Sequence, residues 1–283
     1  MTTTEHGPQP LPAPEPPAAG TPRKRPSWLA VQLRKRLPGL LSLIALIGIW
    51  QLAIVVFRPS DIVLPGPGQV WTAFLGALED GSVAEAVSGS AGPLAIGMAF
   101  AMLAIPVGLA IGMSPVADLI TSPYLWGFFA LPNIAFAPVL ILITGLSNTT
   151  RIWMVVLSAA VPLCLSCKDG VQTVDASLVR AARAFGASRM SLFLKVIVPC
   201  SLPFIASGVR NAISRGFVGL VSVELLVGIG GSIGGEVRAS MRTFDTARGF
   251  AFIILLITIA LVLVSASRYL EVLASRWREE VVL

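Results

Sequence analysis

The run PGLLSLIALIGIWQLAIVVF (Pro38–Phe57) holds no ionisable side chain, and comparable runs recur along the chain. About 20 such residues are what an α-helix needs to cross the hydrocarbon core of a bilayer. Inside that core every backbone N–H and C=O must be satisfied within the segment, which makes such runs helical. Composition agrees. Only 13% of the residues are charged and mean hydropathy is +0.81, against about a quarter charged in a soluble domain. The expected fold class is all-α, a polytopic membrane protein with about six transmembrane helices.

The apolar runs fall at Pro38–Phe57, Ser90–Met113, Ser122–Gly145, Thr150–Cys167, Pro203–Val227 and Gly249–Ser267. Pro132-Asn133 and Pro138 break the third, and such breaks need neighbours to satisfy the freed carbonyls. Gly108 and Gly112 form a GxxxG that lets another helix approach closely. Residues 1–37 read as a disordered, Pro-rich, basic cytoplasmic tail, and 38–283 as one membrane domain. No small-residue site closes the first apolar run, so it is not expected to be a cleaved signal.

The basic cluster Arg23, Lys24, Arg25, Arg34, Lys35 and Arg36 places the N-terminus in the cytoplasm by the positive-inside rule. Six crossings return the C-terminal segment RYLEVLASRWREEVVL there, as a charged helix. Lys168–Pro199 is also inside, with Lys168, Arg180, Arg183, Arg189 and Lys195. Arg238, Arg242 and Arg248 are an exception on the outer side. A net charge of +6 would suit nucleic acid, but the basic residues flank apolar runs and no nucleic-acid motif accompanies them. Asp61–Gly81 is too polar to span. Pro67, Val70, Phe74 and Ala77 or Leu78 give it a short amphipathic helix, either lying on the outer membrane surface or packed as a loop helix.

Several chemistries lack their residues. Cys164 and Cys167 are a CxxC without a second pair, Cys200 stands apart, and the one histidine is His6. A zinc site needs about four ligands. No catalytic residues, metal site or cofactor site are expected. No GxxxxGK[ST] phosphate loop is present, and Gly228–Gly235 (GIGGSIGG) has glycines without a lysine.

The charged segment Asp175–Lys195 interrupts this apolar chain. Asp175 is a plausible N-cap, and Leu178, Ala182 and Phe185 share a helix face. Gly186 suits a left-handed helix end. Ser188 can cap a second helix carrying Leu192 and Val196, with Pro199 and Pro203 at the start of the fifth span. Two short cytoplasmic helices joined at Gly186 follow, either docking on another protein or packing only on their own domain.

RAARAFGASRMSLFLKVIVP resembles the EAA motif of ABC importer permeases, the binding-protein-dependent kind. Ala181, Ala182, Gly186 and Pro199 fall at its spacings, Val196 and Val198 replace Ile and Leu, and Arg180 occupies the Glu position. LPGP after the first span, GVRNAISRGFVGLVSVELL, FDT and YLEVLASRWR are similar to segments of the sulfonate, taurine and nitrate permease group, in the same order. The resemblance covers about residues 38–280. It implies the type I permease fold in a bacterial inner membrane and a coupling loop at about 168–199. Arg180, Ala181, Ala182, Phe185, Gly186, Val196 and Pro199 would contact a separate ABC ATPase, which holds ATP and magnesium. An extracytoplasmic binding protein would deliver a small anion such as a sulfonate, taurine or nitrate, and a second permease copy would complete a homodimer.

Arg210, Arg215, Glu224 and Asn133 are the candidate path residues, because polar groups inside a span are costly. Arg210 could instead snorkel to the cytoplasmic interface, and Arg215 could pair for packing alone. The alternative function is an ion-coupled secondary transporter, which calls for midplane ligands and internal repeats; neither stands out. An intramembrane enzyme would need a His, Asp or Glu cluster that the sequence lacks.

Overall fold

The computed structural model describes residues 28–275. Residues 1–27 of the proposed tail and the last residues of the expected C-terminal helix lie outside them; residues 28–37, expected to belong to the disordered tail, instead open a helix. The chain divides into two units, residues 1–49 and 50–283. Helix α1 (Trp28–Phe57) supplies all that is described of the first unit. The apolar part of α1 is Leu41–Phe57.

Among the described residues the second unit is built of helices joined by turns, with no strand. It contains α2 (Pro67–Glu79), α3 (Ser82–Ala101), α4 (Ala104–Met113), α5 (Pro115–Ala130), a 3-10 turn (Asn133–Phe136) and α6 (Ala137–Thr144). Next come α7 (Asn148–Gln172), α8 (Ala176–Ala184), α9 (Arg189–Leu192), a π-turn (Phe193–Ile197), α10 (Val198–Val227), α11 (Ile233–Thr243) and α12 (Thr246–Ser275). Four stretches are long and apolar enough to cross a membrane, Ser82–Met113, Asn148–Gln172, Arg189–Val227 and Thr246–Tyr269, and α5 with α6 makes a fifth if taken as one span.

Helix α7 is the axis of the bundle. Met154, Val155, Ala159, Leu163 and Cys167 are completely buried in it. Small residues let its neighbours close in. A Cβ on Gly112 would stand 2.7 Å from the Lys168 carbonyl oxygen and 2.8 Å from Val171 Cβ, and Gly108 meets Cys164 and Cys167 in the same way. The GxxxG thus joins α4 to α7. On the other side of α7, Gly208 and Gly219 of α10 meet Ser166 and Ser158. Cys164 and Cys167 are free and buried in these contacts.

Three expectations are refined. The second span starts at Ser82 rather than Ser90, because Gly81 at φ +79° turns the chain straight from α2 into α3. The third is not straight: extended backbone at Leu131 and Pro132 bends α5 and α6 apart by 95°. Pro199 and Pro203 lie inside a continuous helical stretch that begins at Arg189. Pro199 has no N–H to give, and the π-turn before it shifts the register, so that the Val198 N–H reaches the Phe193 carbonyl.

The short helix after the first span is a packed one. Val70 and Ala77 are buried, and Ala77 and Phe74 pack in the cluster that holds Val237 and Phe252, while Trp71 and Leu78 are exposed. Two of the three arginines expected on the outer side, Arg238 and Arg248, are engaged within the protein. Arg248 bonds Asp80 Oδ2 at 3.0 Å and Glu236 Oε2 at 3.2 Å. Arg238 donates to the carbonyls of Leu225, at 2.8 Å, and Leu226 at the end of α10, where a cation complements the helix dipole. Charges so engaged are weak topological signals.

Asp80 is held down to about 2, first by hydrogen bonds from the Ser82 side chain and N–H and then by Arg248. A depressed carboxylate stabilises the fold fully above its unfolded value of 3.8 and loses that contribution as pH falls through about 2. Asp80→Asn should therefore be less stable than wild type at pH 5, with the gap closing below pH 3.8. Melting temperatures of both proteins across that window check this; a gap constant with pH would contradict it.

Candidate functional site

Two places carry the residues singled out above. The first is the Asp175–Lys195 segment. The Asp175 carboxylate accepts from the Ser177 N–H at 2.7 Å and starts α8; this bond, and then Arg180 nearby, lowers its pKa. At the other end the Gly186 N–H reaches the Arg183 carbonyl at 2.9 Å and the Ala187 N–H reaches Ala182 at 3.0 Å, with Gly186 at φ +77°. This paired arrangement is the Schellman ending that glycine favours. Ser188 then caps α9, accepting from the Ser191 N–H at 3.2 Å.

The face expected for Leu178, Ala182 and Phe185 is divided. Val179 and Ala182 pack on the core beside Leu192 and Ile197. Leu178 and Phe185 point away, with Phe185 91% exposed. Arg180, Ala181, Arg183 and Gly186 are exposed too. Val196 packs on the core with Ala182, and Pro199 is half-buried. Thus α8 is anchored by one edge and presents a basic face, with Leu178 and Phe185 projecting from it.

The second place is a cavity of about 310 Å³ between α5, α7 and α10. Arg215 lines it with Trp126, Phe129, Ser166, Asn211 and Ser214, and with Asp169, whose carboxylate is 3.7 Å from Lys168 Nζ. A smaller recess continues it past Phe129, Pro162 and Arg215 to Asn133. The 95° bend is what delivers Asn133 here, at the first residue of the 3-10 turn. The Arg215 guanidinium carbon stands 5.2 Å from the Phe129 ring centre, a cation–π arrangement. Phe129 is itself held edge-on by Trp126, with ring centres 5.7 Å apart. Among the described residues Arg215 has no carboxylate within ion-pair distance. It lies about 18 Å along the helix from Val227, at 1.5 Å per residue. A charge at that depth is costly in lipid and is accommodated facing water.

The other two candidates lie elsewhere. Arg210 bonds Glu271 of α12 at 2.9 Å, near the α8 end of the bundle. Glu224 is completely buried near the opposite end. It accepts from Ser90 Oγ at 2.8 Å, from the Gly234 N–H at 3.1 Å and from Arg151 Nη1 at 3.3 Å. Asn211, Ser214 and Ser166 escaped the sequence reading. Asn211 and Ser214 both lie within about one turn before Arg215, and that proximity was the only available signal. Lys168, buried, fixes the lower part of α5 to α7 through Asp118 at 3.0 Å and Ser122 at 2.9 Å.

An unpaired cation in a polar cavity within a helical membrane bundle, and a surface helix at one end of it, suit a transport subunit. Comparison with known proteins bears on this directly. Over 244 aligned residues the chain is 29% identical to an ABC transporter permease protein, named as probable, of Brucella abortus (strain 2308), covering 85% of this chain and 95% of the relative. It is 28% identical to the taurine transport system permease protein of Escherichia coli (strain K12), over 85% of this chain and 89% of the relative. A nitrate import permease protein of Leptolyngbya laminosa is 26% identical over 69% of this chain and 72% of its own length. Residues 104–279 match the family described as binding-protein-dependent transport system inner membrane component, and the chain belongs to that family of ABC permeases.

Proposed function

We propose that the protein is the membrane subunit of an ATP-driven importer for a small organic or inorganic anion, of the taurine, sulfonate or nitrate kind. It works as a homodimer, receives its cargo from an extracytoplasmic binding protein, and is driven by a separate ATPase that holds ATP and magnesium. Both termini lie in the cytoplasm. The observation that carries the coupling half of this reading is α8, fixed by Val179 and Ala182 on one edge and exposing Phe185 on the other. Arg180 and Arg183 flank that face and Ala176–Ala184 has no acidic residue, so the matching groove on the ATPase is acidic.

The anion reading is supported by Arg215, with Asn133, Asn211 and Ser214 as neutral donors around it. A guanidinium suits sulfonate and nitrate oxygens because it offers paired, planar donors. Closure of the ATPases moves α8. Because α8 packs on the same core as Leu192 and Ile197, that movement reaches α10 and the cavity.

The test is co-purification. Tagged wild type in mild detergent should bring an ATPase with it. Gly186→Pro should lose it while eluting as an intact membrane protein, since proline cannot adopt φ +77°. Phe185→Asp should do the same through the contact itself. Failure to recover an ATPase with wild type under any mild condition would sink the reading.

A further inference from the structure

A groove of about 500 Å³ runs between α4 and the segment formed by α9 and the π-turn. Ile105, Leu109 and Met113 form one wall and Met190 and Phe193 the other, with Arg189 at one end. The walls change character at the same level. Helix α4 stops at Met113 and is followed by Ser114 and Asp118; Arg189 follows the Ser188 cap and precedes the apolar stretch. The groove thus lies where one candidate span ends, at Met113, and another begins, at Arg189, with exposed Lys195 six residues further along. Among the described residues no carboxylate lies within ion-pair distance of Arg189. Met190 is 66% and Met113 44% exposed, and unbranched thioethers adapt to an irregular apolar guest.

We propose that this groove binds an anionic phospholipid, with an acyl chain between Leu109 and Phe193 and the headgroup phosphate on Arg189. The occupant follows from the surroundings. An apolar slot on the flank of membrane-spanning helices meets acyl chains, and a cation at the interface selects an anionic headgroup. Arginine is suited to this place because it hydrogen-bonds phosphate with two donors at once, while its stem stays against apolar walls. The π-turn belongs to the same device, since it carries Phe193, which forms part of the groove wall.

The experiment uses the full chain in neutral detergent micelles. Retained lipid is counted by native mass spectrometry after equal exposure to dioleoylphosphatidylglycerol or dioleoylphosphatidylcholine. Wild type should retain about fivefold more phosphatidylglycerol, the scale of one interfacial cation. Arg189→Gln should bring that down to the phosphatidylcholine level. Ala110→Trp, which fills the groove from an exposed position, should reduce both lipids. Arg183→Gln, on the exposed face of α8, should leave retention unchanged. Equal retention of the two lipids by wild type overturns the assignment. So does an Arg189→Gln protein that retains phosphatidylglycerol normally, or an equal loss in Arg183→Gln. If Ala110→Trp sheds a second copy of the chain while keeping its lipid, the groove belongs to a protein neighbour and the proposal fails. Arg189→Gln carries the test alone should the tryptophan variant not fold.

Discussion

Glu224→Ala is expected to destabilise the protein by roughly 3–5 kcal/mol, the usual penalty for removing one partner of a buried ion pair. Arg151 would keep its charge with its counter-ion gone, and its Nε already has no partner. The loss also spreads. Ser90 Oγ donates to Glu224 and accepts from the Ile233 N–H at 3.1 Å, and the Gly234 N–H ends on the same carboxylate. Arg151 reaches the Gly89 carbonyl at 3.0 Å and also Asn148. One carboxylate thereby ties α3, α7, α10 and the first turn of α11 together. Ser90→Ala should cost less, on the order of 1–3 kcal/mol, because Arg151 stays neutralised. Arg151→Met combined with Glu224→Gln removes both charges and should recover much of the loss. Denaturant unfolding in micelles reads all of these. A Glu224→Ala protein within about 1 kcal/mol of wild type would show the pair to be dispensable.

That network also shows where sequence reading reached its limit. Glu224 stood out as an acid in an apolar run, which is a local property. Its partner lies 73 positions away, and nothing in the linear pattern couples Arg151 to it. The elements legible beforehand were those set by local rules: the apolar runs, the GxxxG, and the caps at Asp175, Gly186 and Ser188. The features that were not legible depend on tertiary geometry. Pro132-Asn133 announced a break, but a 95° bend follows from what α5 and α6 each pack against. Pro199 and Pro203 suggested a fresh start because proline disfavours helix interiors, and the π-turn that absorbs Pro199 has no pattern of its own. The face of α8 was misjudged at Ala182. Leu178, Ala182 and Phe185 share a helical stripe, yet the neighbouring core claims Val179 and Ala182 and leaves Leu178 and Phe185 outside.

Arg215→Ala is expected to reduce uptake at least tenfold while leaving the ATPase bound. A hydrogen bond from a charged donor contributes about 1.5–3 kcal/mol, which corresponds to roughly ten- to a hundredfold. The loss should fall on transport because, among the described residues, the Arg215 guanidinium engages Phe129, while the close α10–α7 contact beside it is made by Gly216, Gly219 and Ala212. Arg215→Lys keeps the charge but loses the planar fork, so it should recover part of the rate. Asn133→Ala removes a neutral donor across the recess and should cost less than Arg215→Ala. Water access gives a reading independent of cargo. Arg215→Cys, placed in a Cys200→Ser protein whose remaining Cys164 and Cys167 are buried, should react with a membrane-impermeant thiosulfonate from the cytoplasmic side. Normal uptake in Arg215→Ala together with normal ATP coupling would remove Arg215 from the path. A cysteine at that position that never reacts would place the residue against protein or lipid, and the cavity would then be a packing gap between α5 and α10 rather than the route of an anion.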